Sequence, residues 1–552
     1  MKKIFSLFLF SPIALLAQWS TDPAINNAVC VQSNEQINVK HVSDLKGGAI
    51  IVWEDYRNDA TNTLGDIYAQ RISSSGAIMW TLNGVAICTD AANQAAPSIV
   101  TDSAGGAVIV WQDHRGTKRN LYAQRIDSSG NTLWTADGIA VTPRNFDQKN
   151  PKVLTDNSHG AFVFWQDSVN SVDYDIYGQH LDNTGAQQWT GGVGVGTGLG
   201  SQVNVKAVID GSQNIFVTWQ DKRNGSDYDI YVQKLNGSGA AQWTSNGVNV
   251  CNLAGTQSGP RPALDNTGGM IVVWQDKRNG LDYDVYAQRV NSSGTAQWTA
   301  NGKAVSATTG NQSAVDLTSK GISNGVIFGW KDQRNGINNT DVYGQMFDLT
   351  GSPIWTANGK AIANASYNQL NVNVTGDGAG GAFFCYQDSS LGNWDIRSQR
   401  VSAAGALLWA AAGADVGTAA NFQVSPNVTL SDNGSSIYTF QDLRNGTDND
   451  IYVFKLDQNG SATFVKNYSL ASGSAVVFPN PSRGIVTFKV NDMNSVEHFS
   501  VSVFDPLGQK VMEQDVRNAN VYQSDRKFET GVYFYRITYG EISQGGKFVI
   551  EN

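Results

Sequence analysis

The residues best suited to chemistry in this 552-residue chain are carboxylates and amides gathered in short polar loops. The loop WQDKRNGSDYD at residues 219–229 contains four such side chains, Asp221, Asn224, Asp227 and Asp229. Loops of about this length that are rich in Asp, Asn and Gly bind Ca²⁺ through their oxygen atoms. Arg223 counts against a metal, because its guanidinium supplies the positive charge that the ion would bring. We therefore predict no metal site and no cofactor, with calcium in this loop as the alternative.

The first aspartate of this loop recurs through the chain, always two residues after a large aromatic residue. Its eight copies are Asp55, Asp113, Asp167, Asp221, Asp276, Asp332, Asp388 and Asp442. An arginine follows two residues later in six of the eight copies. A site that is used once does not need eight copies, whereas Asp at a strand end accepts backbone N–H bonds across a turn and Arg binds its carboxylate. We interpret the motif as a structural corner that every repeat must build.

Acid–base catalysis has few other candidates in this sequence. Glycosidases need a pair of carboxylates, yet Glu35 and Glu54 are the only glutamates between residues 19 and 468. Four histidines lie at unrelated repeat positions without metal-ligand spacing: His41, His114, His159 and His180. No serine lies in a nucleophile-elbow pattern. The sequence therefore predicts no catalytic residue and favours a protein that is not an enzyme.

A glutamine begins the first extended segment of every repeat. The eight copies are Gln36, Gln94, Gln148, Gln202, Gln257, Gln312, Gln369 and Gln423. If that segment is the innermost strand of a ring, eight neutral amides surround one channel mouth and suit a sugar or a peptide. The alternative is that each Gln hydrogen-bonds the backbone of its own loop, because repeated corners need repeated partners. The channel mouth is the candidate ligand site.

The elements that position these residues follow from the spacing of the repeat. Its leading aromatics lie 54 to 58 residues apart, at Trp53, Trp111, Trp165, Trp219, Trp274, Trp330, Tyr386 and Phe440. Each repeat contains four short segments rich in β-branched and aromatic residues, separated by Gly-rich turns. Four strands repeated eight times predict an all-β, eight-bladed β-propeller over residues 18–468, with a linear β-solenoid as the alternative.

Ring closure is predicted from a displaced fragment. The segment QWSTDPAINNAVCV at residues 18–31 resembles the piece between repeats at residues 242–251, yet it precedes the first full repeat. We expect it to complete the last blade, since a ring without it would leave an open sheet edge. The spacing leaves open whether Trp19 or Phe464 fills the aromatic position of that blade.

The N-terminus and the overall composition indicate an exported protein. Lys2 and Lys3 precede an apolar run at residues 4–16, which predicts a signal peptide at residues 1–17 and no transmembrane segment. The net charge of −9 argues against a nucleic-acid partner. Four cysteines lack any CxxC pair, and we expect buried free thiols: Cys30, Cys88, Cys251 and Cys385.

Two resemblances refine this picture. The W-x-D-x-R-N-G…D-I-Y pattern resembles β-propeller repeats of bacterial and archaeal cell-surface proteins, which implies a surface propeller and names no ligand. After a linker at residues 469–475, residues 476–552 predict a small β-sandwich that resembles the C-terminal sorting domain of type IX secretion cargo. The matching residues are Pro479, Asn480, Pro481, Gly484, Phe504, Gly508, Gly531, Val532, Tyr533, Lys547, Phe548, Val549 and Ile550.

These features predict a partner, a location and a function. The sorting-domain resemblance implies the type IX secretion machinery as a partner, and release from, or attachment to, the outer surface of a Gram-negative cell. We expect a non-enzymatic binding or adhesion module for a glycan or a protein. The alternative is a polysaccharide-degrading enzyme, either a glycoside hydrolase or a lyase, which requires acidic residues near the channel in particular repeats.

Overall fold

The computed structural model describes residues 18–168, 173–323, 325–462, 475–490, 498–505, 509–517, 519–525, 527–539 and 542–551. They belong to two compact units, Met1–Phe464 and Val465–Asn552. The predicted signal peptide, Gly508 and nearly all of the linker lie outside the described residues. The predicted domain boundaries at residues 468 and 476 fall in or beside the undescribed residues 463–474, and they stay predictions.

The first unit contains eight antiparallel sheets of four strands each, which confirms the predicted propeller. The innermost strands are Gln36–Ser43, Gln94–Thr101, Gln148–Thr155, Gln202–Ile209, Gln257–Leu264, Gln312–Thr318, Gln369–Gly376 and Gln423–Leu430. The second strands are Ala49–Asp55, Ala107–Asp113, Ala161–Asp167, Ile215–Asp221, Met270–Asp276, Gly325–Asp332, Ala382–Asp388 and Ser436–Asp442.

The outer half of each blade is built from two further strands. The third strands are Asp66–Ile72, Asn120–Ile126, Asp175–Leu181, Asp229–Leu235, Asp284–Val290, Asp341–Asp348, Asp395–Val401 and Asp450–Leu456. The outermost strands are Val85–Cys88, Ile139–Ala140, Val193–Gly196, Val248–Cys251, Lys303–Ser306, Lys360–Ala363, Ala414–Gly417 and Asn27–Cys30. A single 3₁₀ turn, Asp432–Gly434, joins two strands of the last blade.

The core of the propeller lies between neighbouring blades. The second strands are buried along nearly their whole length, because each lies between two sheets and needs apolar residues on both faces. In one such layer Ile50 and Val52 pack with Ile109 and Trp111 of the next blade. The innermost strands of successive blades contact each other around the ring, and the eighth contacts the first.

Ring closure occurs as the sequence predicts. Asn27–Cys30 is the outermost strand of the last blade and pairs antiparallel with Asp450–Leu456. Trp19 is 3% exposed, and its indole N–H donates to the carbonyl oxygen of Ser74 at 2.7 Å. Seven other tryptophans make the same bond to the following blade at 2.9–3.3 Å: Trp80, Trp134, Trp189, Trp243, Trp298, Trp355 and Trp409. Trp19 therefore fills the aromatic position that the spacing left open, whereas Phe464 lies outside the described residues.

Every innermost strand contains a β-bulge at its third residue. That residue has a left-handed φ between 50° and 61° in all eight blades: Asn38, Ala96, Asn150, Asn204, Gly259, Ala314, Asn371 and Ser425. The bulge lets the backbone N–H of this residue reach the preceding blade. For example, the Asn204 N–H donates to Gln166 Oε1 at 2.8 Å, and the Asn38 N–H donates to Gln441 Oε1 at 3.0 Å across the ring closure.

The second unit consists of two antiparallel sheets. The three-stranded sheet has the order Ala475–Phe478, Thr487–Val490, Val521–Gln523. The four-stranded sheet has the order Lys510–Arg517, His498–Phe504, Gly531–Tyr539, Ile542–Ile550. Phe488, Val501 and Phe548 form part of one buried core that both sheets share. This arrangement is the small β-sandwich predicted from the sequence.

Candidate functional site

The repeated Asp–Arg corner is a closed structural unit. In the fourth blade Asp221 Oδ2 accepts the indole N–H of Trp219 at 2.8 Å, and Oδ1 accepts the backbone N–H of Arg223 at 2.9 Å. The Arg223 guanidinium bonds both carboxylate oxygens, at 2.9 and 2.5 Å, and lies 3.9 Å above the ring of Tyr231. It also donates to the Asn246 carbonyl at 2.8 Å. The arginine thus takes the place that a calcium ion would need, and no cluster of three or more His, Cys, Asp or Glu side chains suited to a metal occurs among the described residues.

In the third blade an arginine from another segment takes the place of the missing corner arginine. Val169 replaces the usual arginine there and lies outside the described residues. Arg144, from an earlier loop, places its Nε 3.2 Å from Asp167 Oδ2 and its guanidinium 4.1 Å from the ring centre of Tyr177. An uncompensated buried carboxylate is strongly destabilising, so a substitute from another segment is expected.

We expect the substitution Arg278→Met to lower the free energy of unfolding by about 3–5 kcal/mol, because it leaves Asp276 buried without its partner. The matched control is Lys277→Met, which removes a cation one residue away and should change the free energy of unfolding by about 0.5 kcal/mol or less. Chemical denaturation of the full chain measures both. Equal stability of the two variants would show that the corner does not hold the blade together.

Three of the four cysteines lie beside a corner arginine: Cys30, Cys88 and Cys251. All four are buried free thiols, as the sequence predicts. The Arg57 guanidinium lies 3.1 Å from Cys30 Sγ, and burial raises the pKa of the Cys88 and Cys251 thiols to about 12. These groups are therefore protonated and unreactive at neutral pH.

The eight repeated glutamines do not face the channel solvent. Each is fully buried: Gln36, Gln94, Gln148, Gln202, Gln257, Gln312, Gln369 and Gln423. In seven of them the side-chain N–H₂ donates to carbonyls of the preceding loop, as Gln202 does to Gly200 at 2.8 Å. Gln148 instead donates to Asp167 at 3.4 Å. This geometry favours the alternative in which the glutamines bond the backbone of their own loops. Ligand contact at these positions stays a prediction, and the burial of the side chains does not support it.

The four histidines of the propeller contact four different partners. His41 Nδ1 is 2.7 Å from Thr439 Oγ1, and His180 Nε2 is 3.0 Å from Asp156 Oδ2. His114 and His159 each lie beside a backbone carbonyl. The structure does not bring these four side chains together into one site.

The central channel holds two polar cavities that meet at Lys40. Their volumes are about 300 and 350 Å³. Both are lined by the third, fourth and fifth residues of the innermost strands, beginning with the bulge residue. The fourth residue is always a buried Val or Pro, whereas the third and fifth are partly or fully exposed. The channel wall is therefore set mainly by those two positions.

The residue at the fifth position of the innermost strand differs in charge among the blades, whereas the corner residues recur. In blade order it is Lys40, Ser98, Lys152, Lys206, Arg261, Asp316, Asn373 and Asn427. Sequence reasoning missed this ring because it searched for residues kept in every repeat. The available signal was the residue four places after the constant Gln, where charge changes from blade to blade.

Burial, and then mutual repulsion, perturb the charged groups of the channel. Burial, followed by the charges of Lys152 and Arg261, lowers the pKa of Lys206 to about 6. Burial and the Arg261 charge also lower the pKa values of Lys40 and Lys152. Burial raises the pKa of Asp316, although Arg261 opposes this effect, and Asp316 Oδ2 accepts the Val374 N–H at 2.9 Å. One carboxylate thus faces four basic groups in the lining of these cavities.

In the second unit, the residues of the sorting-domain pattern hold the sandwich together. Asn480 Oδ1 accepts the Val549 N–H at 2.9 Å, and its amide donates to the Lys547 carbonyl at 3.2 Å. Gly484 has a φ of 115°, a conformation that L side chains rarely adopt. Tyr533 stacks on Phe548 with ring centres 5.5 Å apart. Pro479 and Pro481 flank Asn480, and Gly531 begins the strand Gly531–Tyr539.

The two units thus define an eight-bladed β-propeller joined to a small β-sandwich, and family comparison identifies the second unit. Residues 476–551 match the family described as the secretion system C-terminal sorting domain. The type IX sorting domain predicted from the sequence is therefore confirmed, and it implies a protein that is secreted or displayed on the outer surface. Among the described residues, none of the helices has the length and apolar character needed to cross a membrane.

Solved structures resemble the chain at low identity. A polysaccharide lyase described as a PL25 ulvan lyase is 10% identical, covers 81% of this chain and 96% of its own, and has a TM-score of 0.40. A eukaryotic initiation factor is 11% identical, with coverages of 79% and 88% and a TM-score of 0.42. An α-L-arabinanase from Penicillium chrysogenum is 9% identical, with coverages of 66% and 93% and a TM-score of 0.35. Comparison with curated proteins finds no match.

Proposed function

We propose that the chain is an exported, non-catalytic propeller that binds a glycan in its central channel, either after release or on the outer cell surface. The observation that carries this proposal is a contrast between two sets of residues. The corner aspartates, the repeated glutamines and the interface tryptophans make bonds within and between blades. The fifth residues of the innermost strands vary, and seven of the eight line the two cavities. Varied polar groups on a repeated scaffold are typical of a binding surface.

A glycan fits the lining better than a protein segment does. The third position of four innermost strands is an asparagine that is exposed at the channel: Asn38, Asn150, Asn204 and Asn371. Amides both donate and accept hydrogen bonds, which suits the hydroxyl groups of a sugar. Among the described residues, no aromatic side chain lines either cavity to anchor a peptide side chain. Binding of a protein remains an outcome that the test below can reveal.

The second candidate is a polysaccharide-degrading enzyme, and one observation favours it. With its pKa near 6, Lys206 is largely neutral at pH 7 and could accept a proton from a substrate. Asp316 alone supplies a carboxylate among the lining residues, which falls short of the pair that glycosidases use. The lyase form of this alternative is therefore the one to test.

A screen of the secreted full-length protein tests both candidates at once. We expect saturable binding to at least one class in a panel of neutral and acidic oligosaccharides, without new reducing ends or unsaturated products. Ser98→Trp, which places a bulky ring at the fifth position of the second blade, should weaken that binding about tenfold or more. The control Ser212→Trp places the same ring on an exposed turn and should leave the affinity unchanged.

Two results would overturn the proposal. Product formation that depends on Lys206 would establish the enzyme instead. Absence of glycan binding, or equal binding by the Ser98→Trp and Ser212→Trp variants, would remove the channel as the glycan site.

A further inference from the structure

Four basic side chains from four blades form one group in the channel, which we call the cationic girdle: Lys40, Lys152, Lys206 and Arg261. All are fifth residues of their innermost strands, and each lines at least one of the two cavities. Lys152 and Lys206 line the same cavity and repel each other. The charge of Arg261 reaches all three lysines, including Lys40 of a distant blade. The girdle therefore spans the channel.

The girdle residues form no ion pair among the described residues. Among the described residues, no carboxylate oxygen lies within 4.0 Å of a girdle nitrogen. Two carboxylates act on the girdle without pairing with it: the charge of Asp316 favours the charged form of Lys206, and that of Glu54 favours the charged form of Lys40. Elsewhere the chain is acidic, with a net charge of −9, so the group stands out against the rest of the protein. Unpaired cations that are gathered in a partly buried channel destabilise the fold.

The fold itself does not require these charges. Three other innermost strands have the same bulge and register with neutral residues at the fifth position, namely Ser98, Asn373 and Asn427. The strand geometry is therefore satisfied without a cation. A destabilising charge cluster that the scaffold does not need indicates a ligand that neutralises it.

We propose that the cationic girdle binds the carboxylate or sulfate group of an acidic saccharide. This inference rests on the proposed glycan-binding function and names the ligand class. Ammonium and guanidinium groups donate charge-assisted hydrogen bonds to such oxyanions, and Arg can bind two of their oxygens at once. The exposed asparagines two residues earlier in the same strands can bond the hydroxyl groups of the sugar ring.

Binding should take up a proton, with a sign that follows from the pKa of Lys206. In the free channel Lys206 faces Lys152, Arg261 and Asp316, and its pKa lies near 6. A bound anion favours the charged ammonium and raises that pKa. Affinity should therefore be highest below pH 6 and should fall by up to about tenfold per pH unit between pH 6 and 8. Carboxylates and sulfate esters stay ionised over this range, so the pH dependence reports the protein.

Isothermal titration calorimetry of the full-length protein tests the inference with defined probes. Trigalacturonate carries carboxylates, a sulfated carrageenan oligosaccharide carries sulfate esters, and maltotriose is the neutral control. Poly-glutamate tests whether an acidic peptide binds equally well. We expect binding of one of the two acidic saccharides, weaker binding of the other, and no detectable binding of maltotriose. Titrations in buffers of different ionisation enthalpy should show net proton uptake at pH 7.

Substitutions at Lys206 separate a ligand role from a structural one. Lys206→Met should weaken binding about tenfold or more and abolish proton uptake. It should also raise the thermal unfolding temperature, because it removes repulsion from Lys152 and Arg261. Lys206→Arg should retain binding without the pH dependence, since guanidinium stays charged. Lys222→Met, which removes a lysine from an outer turn, should leave affinity and proton uptake unchanged. Lys152→Met gives a second test if Lys206→Met does not fold.

The outcomes distinguish this inference from the function on which it rests. Binding of maltotriose that is unaffected by Lys206→Met would overturn the girdle and leave the glycan-binding propeller standing. Failure of every saccharide to bind would overturn both proposals. Tighter binding of poly-glutamate than of either acidic saccharide would replace the saccharide with an acidic protein ligand.

Discussion

Deletion of residues 18–32 should lower the free energy of unfolding of the propeller by about 5 kcal/mol or more, a large effect for fifteen residues near one terminus. The segment contributes the outermost strand of the last blade, Asn27–Cys30, and the buried indole of Trp19. Its removal would also leave Arg444 without the Ile25 carbonyl, 2.6 Å away, and the side chain of Asn26, 2.8 Å away. The last blade would then present an open sheet edge. Denaturant unfolding of the full chain and of the deletion variant measures the loss.

A matched pair of substitutions isolates the tryptophan from the strand. Trp19→Ala and Trp409→Ala remove the same interface indole, one at the ring closure and one inside a continuous blade. We expect each to lower the free energy of unfolding by about 3–5 kcal/mol, because each creates a cavity and removes a hydrogen bond between blades. An unchanged unfolding midpoint for the deletion variant would refute closure by the N-terminal segment. So would a Trp19→Ala variant that is as stable as the unmodified protein while Trp409→Ala is strongly destabilised.

Deletion of the sorting domain should abolish export of the protein to the cell surface and the medium. A chain that lacks residues 476–552 should accumulate in the periplasm, because those residues match the secretion system sorting domain. We expect no protein above background on the cell surface or in the culture medium. Protease accessibility of whole cells and immunoblotting of the medium measure the distribution. Normal appearance of the truncated protein outside the cell would contradict this role.

Point variants test the same role without removing the domain. Gly484→Val should also block export, since the φ of 115° at this position is strained for any L side chain and an added Cβ would meet the side chain of Lys527. Lys510→Ala, at an exposed position in the same sandwich, is the control and should be exported normally. Blocked export of both variants would indicate general intolerance of the domain to substitution.

The sequence predicts most of the fold because each blade solves the same physical problem. An aromatic residue followed two positions later by Asp marks the end of a doubly buried strand in each of eight repeats, so the spacing of this motif gives the number of blades. The displaced fragment before the first repeat predicts the closing strand. The sequence does not decide whether Trp19 or Phe464 fills the aromatic position of the last blade, because both are large aromatic residues. The structure assigns the position to Trp19 through its bond to the Ser74 carbonyl.

The candidate site was less accessible to sequence reasoning, and Gln202 and Lys206 illustrate why. Constancy across blades drew attention to Gln202, but that residue is constant because it caps its own loop through a bond to Gly200. Lys206, four residues later, lines the channel at a position where the residue type varies among the blades. Residues that build a repeated fold recur, whereas residues that contact one asymmetric ligand do not. A search for variable charge at a fixed repeat position would have found the girdle.

The position of a bound acidic oligosaccharide tests channel binding most directly. Crystals of the full-length protein grown with saturating trigalacturonate, or with the sulfated oligosaccharide if calorimetry favours it, would reveal that position. We predict density for the sugar in the central channel, with its anionic group within hydrogen-bonding distance of Lys152 and Lys206 and the ring near the exposed asparagines. Density on an outer face of the propeller, with the channel empty at a ligand concentration that saturates the protein in solution, would contradict it.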